Sequence, residues 1–140
     1  RHFFIIKVHP REKLNEYKKK VGGGMKNVLV LQDLPFADLL HLSDVIVTHF
    51  STTGVEAVML GKPLIIIETP GVVNPFVQEH ISYTVKDPGK LADAVEKALR
   101  EKGTEEQKRA RETFIKQHCF RLDGGATERI VKLIKKLEGH

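Results

Sequence analysis

Residues 39–67 read LLHLSDVIVTHFSTTGVEAVMLGKPLIII, and this stretch decides the fold. Val45-Ile46-Val47 is a short apolar run of β-branched residues, which predicts a buried strand. His49-Phe50-Ser51-Thr52-Thr53-Gly54 is a polar turn carrying one glycine, and it leads into a helical stretch with Val55, Val58 and Met59 on its apolar side. Gly61-Lys62-Pro63 closes that helix, because glycine ends a helix readily and proline cannot continue one. Leu64-Ile65-Ile66-Ile67 is a second apolar run. A strand that is apolar throughout, then a helix, then another such strand, is a βαβ unit with parallel strands covered on both faces. Its crossover is expected to be right-handed.

The same alternation continues outward. Upstream, Phe3–Val8 is a short continuous apolar run and reads as a strand buried on both faces. Pro10 suits the first position of a following helix and Glu12 its first turn, where the helix dipole favours a carboxylate. Leu14, Tyr17 and Val21 give that helix one apolar stripe, and Gly22-Gly23-Gly24 ends it. Val28–Leu31 is the next strand, Gln32–Pro35 a loop, and Phe36, Leu39 and Leu40 mark a short helix. Downstream, residues 69–81 read as an irregular loop with Pro70, Gly71 and Pro75, and Tyr83–Val85 as a short strand. Asp87-Pro88 starts a helix with Leu91, Ala94, Val95, Ala98 and Leu99 on one face. Two further helices are predicted over 105–118 and 127–137. The expected architecture is a three-layer α/β, Rossmann-like domain with a parallel sheet of about five strands. Ligands of such sheets bind beyond the carboxyl ends of the strands, so the loops beginning at His9, Gln32, Thr48 and Glu68 are the ones to watch.

The chain of 140 residues is long enough for one sizeable core. It is 41% hydrophobic and 29% charged, as ordinary globular domains are. No apolar run approaches the roughly 18 residues of a membrane span. The single cysteine, Cys119, excludes an internal disulfide and a cysteine metal cluster. Together these favour a cytoplasmic protein, with the inner membrane face as a further place of work and peripheral membrane association as a further contact. Lys and Arg number 23 against 18 Asp and Glu, a net charge of +5 that attracts anions. The cations alternate with Glu along helical stretches and few aromatics lie among them, so nucleic acid is not the expected partner. The opening at Arg1, running at once into an apolar strand, reads as an excised domain over 1–137. Residues 138–140 read as the remnant of a purification tag.

Thr48–Ala57 carries the strongest local chemical signal. It leaves a strand and enters a helix N-terminus, where backbone N–H groups, the positive end of the dipole and the hydroxyls of Ser51, Thr52 and Thr53 suit a phosphate. Gly54 would let a ligand approach the backbone. A plainer reading stands beside it. Thr53-Gly54-Val55-Glu56 matches a capping box, with Thr53 as N-cap and Glu56 reaching back. Gly22-Gly23-Gly24 precedes a strand instead of following one and is no dinucleotide fingerprint. A receiver domain would need a carboxylate after its third strand, where Thr48-His49 stand. The seven histidines and one cysteine show no metal-ligand spacing, and neither a metal nor a cofactor is expected.

Residues 39–67, with "SD" before the strand, a small polar turn, "EA" and "GKP", resemble the nucleotide-binding core of the C-terminal domain of GT-B glycosyltransferases. They are also similar to the non-hydrolysing UDP-N-acetylglucosamine 2-epimerases. Val85–Leu91 continues the resemblance, and Asp123–Ile130 is similar to the capsule-polysaccharide and polyol-phosphate transferases. The resemblance implies transfer of a sugar or polyol-phosphate unit from a nucleotide-diphosphate donor, with UDP first and CDP or CMP also open. It implies a partner Rossmann domain N-terminal to this one in the same chain, carrying the catalytic base. Glu56 falls on the carboxylate that accepts from ribose hydroxyls, and Ser51, Thr52, Thr53 and Gly54 on the diphosphate turn. Leu34, in the loop 32–36, falls where the base edge is met. His9 and Arg11 fall near the donor phosphates, with a helix start and a half-buried histidine as the plainer reading. Retaining relatives carry a Glu where Thr48 stands, which points to inverting or epimerase-like chemistry.

Overall fold

The structure is a computed structural model that describes residues 2–22 and 24–139. Three features of the sequence reading, the opening at Arg1, the middle of the glycine run at Gly23 and the terminal His140, lie outside the described residues. Among the described residues there are five strands, β1 (Phe4–Lys7), β2 (Val28–Leu31), β3 (Ile46–Thr48), β4 (Leu64–Ile67) and β5 (Tyr83–Val85). Between and after them run α1 (Leu14–Val21), α2 (Phe36–Leu42), α3 (Thr53–Met59), α4 (Pro75–Gln78), α5 (Leu91–Glu101), α6 (Glu105–Phe114) and α7 (Ala126–Glu138). A single 3₁₀ turn (Pro88–Lys90) precedes α5, and a wider π turn (Ile115–Cys119) follows α6.

All pairings are parallel, as the apolar strands required. They form two ladders, β1-β2 and β3-β4-β5, where the sequence suggested one sheet. Apolar character makes a run a strand but does not say which strand lies beside it, so the division is not written in the pattern. The chain correspondingly forms two compact units, Arg1–Leu42 and Ser43–His140.

In the first unit Phe4 pairs with Val28 and Ile6 with Val30. The expectation that β1 is buried on both faces fails. Phe4 and Ile5 are 39% and 37% exposed, and Leu29, paired with Ile5, is 44% exposed. A two-stranded ladder leaves the Ile5–Leu29 face open, whereas Val8 and Val30 are buried. The helix start also moves. Glu12 N donates to the His9 carbonyl at 2.9 Å, which closes a turn over residues 9–12, so α1 begins only at Leu14, beyond Pro10.

The second unit holds the well-packed core. β4 contributes Leu64, Ile65 and Ile66, all buried. Ile65 packs with Tyr83 and Val85 of β5 and with Val95 and Ala98 of α5, and Leu91, Ala94 and Leu99 close around them. These are the α5 residues that the 3.6-residue period put on one face. Each fully buried aliphatic side chain of this kind contributes about 1.5–3 kcal/mol, so β4 and α5 are the firmest parts of the scaffold. α3 is fastened from below by Arg111 of α6. Its Nε donates to the Val58 carbonyl at 2.5 Å and its Nη2 to the Met59 carbonyl at 3.1 Å, satisfying carbonyls that the helix end leaves over. α7 carries Ile130, Leu133, Ile134 and Leu137 as an apolar stripe that is exposed. Its entry is held by Arg129, whose Nη1 lies 2.9 Å from both carboxylate oxygens of Asp123.

Candidate functional site

The carboxyl ends of β3, β4 and β5 carry the residues with chemical capacity in the second unit. After β3 the chain turns through residues 49–52 into α3, and the turn is organised by Ser51. Its Oγ donates to Thr53 Oγ1 at 2.8 Å and accepts from the Thr53 amide at 3.2 Å. The Gly54 amide donates to the Ser51 carbonyl at 3.0 Å and the Val55 amide to the Thr52 carbonyl at 2.9 Å. The first three amides of α3 are therefore engaged inside the turn, which corrects the expectation that they stand free for a phosphate. What the turn offers is its hydroxyls. Thr53 Oγ1 accepts from Ser51 and still carries a proton to donate, and Ser51 and Thr52 are exposed.

Two further corrections fall on α3. Thr52 holds the N-cap position and makes no side-chain cap bond, while Thr53 is already helical. No capping box forms here, and Glu56 stands exposed one turn into the helix. Its carboxylate is thus available as an acceptor. Gly54 is buried, and the atom packed against its Cα is not a ligand's. A Cβ on Gly54 would stand 2.4 Å from Cε2 and 2.7 Å from Cζ of Phe76. The glycine admits an aromatic ring of α4.

That ring is placed by Asn74, which is 6% exposed. Its Oδ1 accepts from the Phe76 amide at 3.0 Å and its Nδ2 donates to the His49 carbonyl at 2.9 Å. Asn74 thus caps α4 and ties it to the turn before α3. His49 Nε2 shares a hydrogen bond with Thr69 Oγ1, so the turn is also joined to the end of β4. Beside Thr69 lies a cavity of about 340 Å³ lined by Glu68, Thr69, Pro70, Gly71, Val72 and Lys86. Glu68 follows β4, Lys86 follows β5, and Lys86 Nζ is 3.7 Å from Glu68 Oε2.

In the first unit, His9 and Arg11 come together in the turn after β1. The Arg11 amide donates to His9 Nδ1 at 3.1 Å. With Nδ1 as acceptor, a neutral ring carries its proton on Nε2. Gln32 locks this turn, its Nε2 donating to the carbonyls of His9 at 2.8 Å and Glu12 at 2.9 Å. Its own carbonyl accepts from Lys7 Nζ. Leu34 is exposed in the loop after β2. His9, Arg11 and Leu34 thus belong to the Arg1–Leu42 unit, and Ser51, Thr52, Thr53, Gly54 and Glu56 to the Ser43–His140 unit.

Asn74 and Thr69 are not singled out by the sequence reading; the loop beginning at Glu68 and the segment holding Lys86 are, though neither residue is assigned a role. Asn74-Pro75 does carry the signature of a capped helix start, an N-cap amide followed by proline at N1. Glu68 and Lys86 sit where the carboxyl-end rule directs attention.

The family model described as CDP-Glycerol:Poly(glycerophosphate) glycerophosphotransferase matches residues 1–136. The chain belongs to that family. It is a transferase-family domain. The crystal structure of the glycosyltransferase SnogD from Streptomyces nogalater is similar in fold, with a TM-score of 0.57 at 16% sequence identity. The likeness covers 81% of this chain and 38% of SnogD, so the chain spans less than half the length of that enzyme. No curated protein matches the chain. Membership of the family and the shared glycosyltransferase fold agree with a mixed α/β domain built on parallel strands.

Proposed function

We propose that this chain binds the nucleotide-diphosphate donor of a two-domain, GT-B type transferase, and that the donor is CDP-glycerol. The observation that carries the reading is the family match over 1–136, taken with the hydroxyl-lined turn Ser51–Thr53 at the carboxyl end of β3. The family's description favours cytidine over the uridine that the sequence alone put first. Glycerol has no anomeric carbon, so the displacement runs at phosphorus. A hydroxyl oxygen of the acceptor bonds to the glycerol-bearing phosphorus as the P–O bond to CMP breaks, and the acceptor's proton passes to a base.

In this reading the hydroxyls of Ser51, Thr52 and Thr53 hold the diphosphate, and Glu56 accepts from the ribose diol. By the family resemblance, His9 and Arg11 of the first unit are proposed phosphate contacts in their own right, offering a donor Nε2–H and a cation to negative charge. Leu34 and its loop meet the base. The N-terminal partner domain supplies the acceptor site and the general base, and the whole enzyme works at the inner membrane face.

Titration with CDP-glycerol, followed by amide chemical shifts, tests the reading. Binding is expected in the millimolar to high-micromolar range, about 4–6 kcal/mol, with the largest shifts over residues 49–56. NAD and free sugars bind more weakly. Shifts that leave 49–56 untouched while mapping elsewhere would overturn it.

A further inference from the structure

We infer that the cavity at the carboxyl ends of β4 and β5, walled by Glu68 and Lys86, takes the glycerol hydroxyls of the donor; this rests on the reading that the chain binds CDP-glycerol. The pair chooses its ligand by charge. Lys86 disfavours a metal cation there and Glu68 disfavours a phosphate, so a neutral group suits the site best. A carboxylate only accepts hydrogen bonds and an ammonium only donates them. A hydroxyl does both, and a vicinal diol presents two of them to the two walls at once.

The geometry leaves that capacity unspent. At 3.7 Å the two groups attract each other without a hydrogen bond between them. The Glu68 side chain is 24% exposed, so its charge lies largely sheltered from water, and Lys86 extends into solvent over it. The Glu68 amide donates to the Val85 carbonyl at 2.9 Å, which continues the β4–β5 pairing up to the cavity and fixes the carboxylate's origin. Pro70, Gly71 and Val72 supply the remaining wall. The volume of about 340 Å³ is at the small end of ligand pockets and has room for a three-carbon polyol. The cavity adjoins the Ser51 turn through the bond between His49 and Thr69, so a donor with its diphosphate on the turn extends its glycerol toward Glu68.

The test compares CDP-glycerol with CDP, on the chain as it is and on Glu68→Gln and Lys86→Met. The original chain should prefer CDP-glycerol by about ten-fold, the size of one hydrogen bond to a charged group. Glu68→Gln should bring that ratio close to one while CDP affinity stays within about two-fold, and Lys86→Met should reduce it in part. A ratio unchanged in both variants overturns the glycerol site and leaves nucleotide binding standing. Failure of the original chain to bind CDP at all overturns the nucleotide reading and this one with it. Should a variant fold poorly, the original chain decides alone. Exchanging CDP for CDP-glycerol must then move the amides of residues 68–72 and 86, and silence there overturns the site.

Discussion

The ring of Phe76 occupies the space that a side chain at residue 54 would need, with Cε2 2.4 Å from where a Cβ on Gly54 would stand. Phe76 is itself buried and lies 5.7 Å, centroid to centroid, from Phe114 of α6. The ring cannot simply swing away, so a methyl group at 54 must push α3 and α4 apart. Gly54→Ala is expected to destabilise the fold by about 1–3 kcal/mol, the usual cost of overpacking a core. The double variant Gly54→Ala/Phe76→Leu, which shortens the opposing side chain, should recover part of that loss. Thermal melts of the three proteins check both statements. A single variant as stable as the original chain would show that the contact is soft.

Asn74 is the hinge of the same region, because its amide bridges the Phe76 N–H and the His49 carbonyl. Asn74→Ala leaves the buried Phe76 amide and the part-buried His49 carbonyl without these partners, a loss of about 1–3 kcal/mol. The consequence should reach further than stability. With α4 uncapped and the His49 carbonyl released, the turn over residues 49–52 loses one of its tethers, and donor affinity should fall as well. Asn74→Asp isolates the tether, since an Asp carboxylate still caps α4 but cannot donate to His49. It should lose stability as well, because a carboxylate then faces the His49 carbonyl in a nearly buried site, and its nucleotide binding should fall further than that of Asn74→Ala. Equal losses in melting and binding for both variants would refute the tether.

How much of this was legible in the sequence depends on what kind of physics wrote it. β4 and α5 were read correctly because burial leaves a periodic trace, a continuous apolar run in one and a five-residue apolar face in the other. α4 was passed over as loop because it is four residues long, too short to show a period, although Asn74-Pro75 marks its start. The split into β1-β2 and β3-β4-β5 left no trace, since lateral neighbours are chosen by tertiary packing. Close approach at Gly54 follows from the residue type, whereas its packing against Phe76 does not. Nothing local to residues 48–57 mentions Phe76. The capping box failed in the same way. Thr53 and Glu56 have the required spacing, but the Ser51 hydroxyl reaches the Thr53 amide first. In the site, the hydroxyl turn was visible because its residues are contiguous, whereas the Glu68–Lys86 pair joins two strands and needs the sheet to bring it together.

Tyr83 gives a pH dependence with a definite sign. Burial first, and then the Glu101 carboxylate that accepts its hydrogen bond at 3.2 Å and repels the phenolate, push its pKa above the ordinary value of 10.0. The folded state therefore holds the phenolic proton more tightly than the unfolded chain does. That contribution is fully present below pH 10 and is lost as pH rises through the folded-state value. Tyr83→Phe cannot titrate at this position. The difference in stability between the original chain and Tyr83→Phe should be flat from neutrality to about pH 9.5 and shrink or change sign above that. Urea melts at closely spaced pH values would show it, and parallel curves for the two proteins to pH 11 would rule it out.

Glu56 separates a binding role from a structural one. Because its carboxylate takes no part in capping α3 and stands exposed, Glu56→Gln should change stability by well under about 0.5 kcal/mol, as surface substitutions do. A charged hydrogen bond to a ribose diol contributes about 1.5–3 kcal/mol, so CDP affinity should fall about ten-fold or more. The loss belongs to the ribose, so a 2′,3′-dideoxy nucleotide should bind the original chain and the variant nearly equally. Gln keeps the size and one acceptor oxygen, so it removes charge without opening space. Each protein is titrated with each nucleotide and its melting followed in parallel. A variant that melts unchanged and binds CDP unchanged removes Glu56 from the ribose site and leaves the Ser51–Thr53 hydroxyls as what the second unit offers the donor.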